Sequence, residues 1–144
     1  MKRLVLIAVC TAALVGCATH PVPTSEALPV PTDRVFAFQT PIDKPSGTLV
    51  VVRDKGLSAS ACPMAFYIDG TLAAHLRTGE STTLIVPAGM RILGAGPAGK
   101  GMCSWANAET YRREASQLVT EGTTTKIRLA ITQNGVIQVT PTAF

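Results

Sequence analysis

The sequence predicts an all-β protein, an antiparallel β-sandwich of about seven short strands occupying residues 47–144. Three observations carry that expectation. Short segments rich in β-branched residues recur from Thr48 onward, the clearest with strict alternation of apolar and polar positions. Gly, Pro, Asp-Gly and Asn-Gly fall between them at close spacing. Few segments have the length or the period of a helix.

The N-terminus follows another pattern. Met1-Lys2-Arg3 is basic, and Leu4 to Val15 is an apolar run too short to remain in a bilayer as a permanent helix. Leu14-Val15-Gly16-Cys17 then places a cysteine where a cleavage site belongs. This stretch resembles the lipobox of bacterial lipoproteins. The resemblance implies that residues 1–16 are a signal peptide and that Cys17 becomes the first mature residue and carries the lipid. One acyl chain holds a protein only marginally, so several on one residue make a stable membrane anchor. Ala18 rather than Asp follows, which in such lipoproteins favours the outer membrane, facing the periplasm. A plain secretory signal or a short N-terminal membrane helix is the alternative reading.

With Lys2 and Arg3 in the leader, the net charge of +4 falls to +2, which leaves no electrostatic footprint for nucleic acid. Cys10 leaves with the leader, and Cys62 and Cys103 remain as an even pair in an oxidising setting. A disulfide is the natural reading, against free thiols or a metal site. The metal site fails on ligand count, because only His20 and His75 could join the two cysteines. No cofactor is expected.

Residues 17–46 read as the lipidated cysteine and a proline-rich linker, with Pro21, Pro23, Pro29, Pro31, Pro41 and Pro45 excluding helix and sheet interior. Such a chain is extended, at about 3.1 Å per residue where polyproline-like. Phe36 and Phe38 are costly to leave wet, so Asp33 to Gln39 is expected to dock on the domain as an edge strand.

Thr48 to Arg53 reads as a central strand, since its apolar run is continuous. Met64 to Ile68 and Thr71 to Arg77 form a hairpin about Asp69-Gly70. In the second strand Leu72, Ala74 and Leu76 share one face, leaving His75 on the solvent side. Thr82 to Val86 is a strand stopped by Pro87-Ala88-Gly89, and Met90 to Leu93 follows. Glu114 to Thr120 is another strand. Ile127, Leu129 and Ile131 alternate cleanly before a tight hairpin at Asn134-Gly135 into Val136 to Thr140. Trp105 to Arg113 is either one helical turn or a loop.

Tyr67-Ile68-Asp69-Gly70, Ala74-His75-Leu76, Gly79-Glu80 and Val86-Pro87-Ala88-Gly89 follow one another at short intervals. The pattern is similar to PEGA-like β-sandwich domains of small bacterial envelope lipoproteins, over residues 47–140. The resemblance implies the fold and carries no catalytic residues.

Gly94-Ala95-Gly96-Pro97-Ala98-Gly99 satisfies G-x-G-x-x-G, and Gly94 to Lys100 fits most of a P-loop. Gly101 stands where a P-loop needs Ser or Thr, and no helix follows to meet a phosphate. A flexible glycine-rich loop beside the disulfide is expected instead. Ser58, Ser60, Ser81 and Ser104 lack a nucleophile elbow, and Asp69, the partner Asp54 would need in a carboxylate pair, is explained by its turn. Tyr111, Arg112 and Arg113, near Trp105, are the candidate partner contact, because Arg and aromatic residues favour binding hot spots. The expectation is a non-catalytic binding or scaffolding lipoprotein. Its partner would be an envelope protein or a cell-wall component. The alternatives are an accessory lipoprotein of a secretion or conjugation apparatus, with residues 18–40 as docking peptide, and a cell-wall-active hydrolase.

Overall fold

A computed structural model describes residues 19–57, 59–99, 101–104 and 108–144. Cys17, Ser58, Lys100 and Trp105 lie outside the described residues, as does the leader.

Two sheets face each other. One has five strands in the order β1-β5-β2-β8-β9, and the other has four in the order β4-β3-β6-β7. The strands are β1 (Leu28–Pro29), β2 (Ser46–Arg53), β3 (Met64–Ile68), β4 (Thr71–Leu76), β5 (Glu80–Pro87), β6 (Gly89–Pro97), β7 (Arg113–Val119), β8 (Thr124–Ile131) and β9 (Ile137–Pro141), with one short helix α1 (Ala108–Tyr111). The all-β sandwich is as expected, with nine strands instead of seven. Pairing is mostly antiparallel, but β1 runs parallel to β5 and β2 parallel to β8.

The central position expected for Thr48 to Arg53 holds, because β2 is flanked by β5 and β8. Leu49 and Val51 point into a core completed by Phe66, Ile68, Leu84, Val86, Leu93, Ile127 and Leu129. Val52, in the opposite phase, is buried as well, at 2% exposure. Thr48 and Val50 on that face are only half-buried, so the outer side is covered toward the end of the strand, and there polar alternation is not needed.

Several local expectations change. β4 carries a bulge at Ala73: Phe66 pairs with Ala74 and Tyr67 with Leu72. The extra residue breaks the expected face, so Ala73, Ala74 and Leu76 are all buried while Leu72 sits on the outer side with His75. Gly94 to Pro97 of the supposed glycine loop are the second half of β6, paired residue by residue with β3 from Leu93 to Pro97, and Ala98 and Gly99 follow outside the strand. Gly94 serves close approach: a Cβ there would lie 2.9 Å from the Arg112 Nε. The Asn134-Gly135 hairpin is wider than a two-residue turn. Thr132 and Val136 close it, and Gly135 alone has positive φ, as in a three-residue loop ending in a left-handed residue. Asp69-Gly70 is the tight turn expected, with positive φ at both positions.

The proline-rich segment does not stand away from the sandwich once residue 20 is reached. His20 bridges to Lys55, Leu28 and Pro29 pair with Glu80 and Ser81, and Val22, Val30 and Val35 are buried. Asp33 to Gln39 docks as expected, through a single bridge of Val35 to Ala74 instead of a full strand. Phe38 accepts the Ile85 amide at 2.8 Å, and Phe36 donates to Ala73 at 2.8 Å. Residues 28–38 therefore cover the open edges of both β5 and β4. Prolines suit such a cover, since an edge can spare the donors they lack. Arg34 pins it with two hydrogen bonds to the Glu80 carboxylate, at 2.8 and 2.6 Å.

Candidate functional site

At one end of the sandwich the two sheets part. The end of β2, the start of β3, the end of β6, the end of β8 and the start of β9 surround a cavity of about 250 Å³. Met64, Pro97, Tyr111, Ile131 and Ile137 give it apolar walls, and Cys62 and Pro63 close one side. Cys62 is bonded to Cys103, as expected, with a Cα–Cα distance of 5.3 Å. That bond ties the loop after β2 to the short turn at Gly101–Ser104 that follows β6.

Among the described residues Arg53 is the one charged residue of the wall, and it is 3% exposed. Its Nη1 donates to the carbonyls of Cys62 at 2.6 Å and Leu76 at 3.0 Å, and its Nη2 to that of Ala59 at 3.0 Å. Among the described residues no carboxylate forms an ion pair with it. Burial pulls its pKa down to about 10, only partly offset by the more distant charge of Glu80, so it stays cationic at neutral pH. Sequence reasoning missed this residue. The signal was present: Arg53 is in phase with Leu49 and Val51, whose side chains face the core.

Of the three candidate contact residues, Arg112 and Arg113 line one shallow hollow with Glu109 and Glu114, and Tyr111 lines the end cavity. Tyr111, the last residue of α1, lines the cavity. Arg112 lies over the ring of Tyr67, 4.1 Å from its centroid, in the space that Gly94 leaves, and pairs with Glu114 at 2.7 Å. This residue is largely spent within the fold, and its Nε is buried without a hydrogen-bond partner. Arg113 opens β7, is exposed and donates to the Thr110 and Arg112 carbonyls.

The acidic candidates are also committed. Asp54 is gripped by Arg128, whose Nε lies 2.8 Å from both carboxylate oxygens. Asp69 accepts the Ile92 amide at 2.8 Å and Arg91 at 3.0 Å. His75 stands on the outer side of β4 under the edge of Phe36, with ring centroids 5.0 Å apart. It is half-buried, not fully solvated as expected, because the docked segment brings Phe36 onto it.

These groups set the acid response. Burial, helped by the charge of Arg34, lowers the pKa of His75 from its ordinary 6.5. Burial works against the charged form of Glu80, but the Arg34 hydrogen bonds and the Arg77 amide outweigh it and hold the carboxyl below 4.5. The Ile92 amide, with Arg91, holds Asp69 below 3.8 despite slight burial. Each group binds its proton less readily folded than unfolded. Each therefore contributes stability that is complete above its ordinary pKa and is lost as pH falls through the folded value. The urea midpoint should decline first below about pH 6.5 and again below about pH 4.5. His75→Gln should remove the first decline, and a first decline unchanged in that variant would contradict the assignment.

Comparison with protein-family models, curated proteins and solved structures finds no match. The class defined by the coordinates is a two-sheet sandwich with a disulfide beside an apolar end cavity.

Proposed function

We propose that this chain is a lipid-anchored protein of the bacterial envelope that works by binding. Cys17 carries the anchor, and the sandwich presents the end cavity. The cavity carries the reading: among the described residues its walls are largely apolar, and the Arg53 charge is held in place by three backbone carbonyls. Ligand sites have that make-up, a largely apolar pocket with few fixed polar groups. The Cys62–Cys103 bond supports export, since disulfides persist in oxidising compartments. The resemblance to PEGA-like envelope lipoproteins points the same way. The reading of residues 18–40 as a docking peptide has less support, because Val30 and Val35 are already buried against the sandwich.

Labelled palmitate tests the anchor. The parent chain should incorporate label and sediment with membranes, and Cys17→Ala should lose the label. Unlabelled, full-length parent protein in the soluble fraction would refute it.

A further inference from the structure

Among the described residues, the cavity wall holds a positive charge that no carboxylate meets in an ion pair. The Arg53 guanidinium offers five N–H donors, and three go to the Cys62, Leu76 and Ala59 carbonyls. Among the described residues nothing takes the other two. A guanidinium fork matches a carboxylate, and such a bond gains strength where water is excluded. An apolar lining around that cation selects an acid with an apolar body over a bare anion.

Size narrows the ligand further. A cavity of about 150 Å³ is large enough for benzene, and drug-sized ligands occupy roughly 300–1,000 Å³. A volume of about 250 Å³ suits a single ring or short chain bearing a carboxylate.

We infer that the end cavity binds a small organic acid with an apolar body, its carboxylate on Arg53 and its ring or chain among Met64, Tyr111, Ile131 and Ile137. The inference rests on the reading of this domain as a binding module and names its ligand class. It does not depend on the anchor, which palmitate labelling reads separately.

Saturation-transfer NMR on the full chain tests it with three probes: phenylpropionate, its uncharged analogue phenylpropanol, and acetate. Phenylpropionate should bind about tenfold or more tightly than phenylpropanol, as a charge-assisted hydrogen bond warrants, and acetate should not bind detectably. Ile137→Trp, which fills the cavity and leaves Arg53 in place, should abolish phenylpropionate binding while the circular dichroism spectrum stays that of the parent. Equal affinity for acid and alcohol, no binding of the acid, or binding that survives Ile137→Trp would each overturn the inference.

Discussion

A Cys62→Ser, Cys103→Ser double variant is expected to unfold about 4 kcal/mol more easily than the parent, which is the loop-closure contribution for a separation of 41 residues. That loop contains β3, β4, β5 and β6, so its closure restricts the unfolded ensemble widely. The slope of unfolding against urea should steepen, because the chain without the link exposes more surface when it unfolds. β3 and β6 pair up to Met64 and Pro97, close to the two cysteines, so the native sheets themselves should persist. The end cavity should suffer most, since Cys62 is part of its wall. Equilibrium urea unfolding with and without reductant measures the effect. A loss below about 1 kcal/mol would mean that strand pairing and the Arg53 bonds already hold this end.

Asp54→Ala carries the second large effect, a loss of about 2 to 3 kcal/mol. The Asp54 side chain is 2% exposed, and it receives Arg128 through a two-pronged contact. Breaking a fully buried ion pair by removing one member costs roughly 3–5 kcal/mol, because the remaining charge is left uncompensated. Arg128 retains 27% exposure and can reach water, which lowers the figure. The pair also joins the end of β2 to β8, the parallel contact at the middle of the five-stranded sheet. The double variant Asp54→Ala, Arg128→Ala should recover part of the loss. A double-mutant cycle with coupling near zero would show that the pair contributes nothing beyond its separate side chains.

Much of the fold was legible, for local reasons. The Asp69-Gly70 turn needs positive φ at both positions, and those residue types accept it. The alternation in β8 marks a core side, and Ile127 and Leu129 are indeed buried while Arg128 is not. The central place of β2 in its sheet showed in its unbroken apolar run. The misreadings share a cause. Gly94 to Gly99 looks like a loop by composition, and only the register with β3 and the placement of Arg112 reveal that small residues are needed in a strand there. Outside Asp33 to Gln39, the proline-rich segment reads as an extended tether because prolines exclude a sheet interior, yet an edge lacks that restriction, and Leu28 and Pro29 pair along β5.

The site divides in the same way. Cys62 and Cys103 were paired by counting, and the coordinates join them. Arg112 was singled out for contact, yet it serves Tyr67 and Glu114, because no local pattern tells which neighbour a long side chain will meet.

By itself the sequence determined the β class, most of the strands, the Asp69-Gly70 turn, the inward face of β8 and the pairing of two cysteines, since each depends on residues near one another or on a count. Tertiary structure alone decided that residues 28–38 close two sheet edges, that Tyr111 and Arg112 serve different surfaces, and that Arg53 is sealed at a cavity wall. Those outcomes depend on which segments distant in the chain come to lie side by side, and the burial and charge balance of a side chain are properties of that neighbourhood.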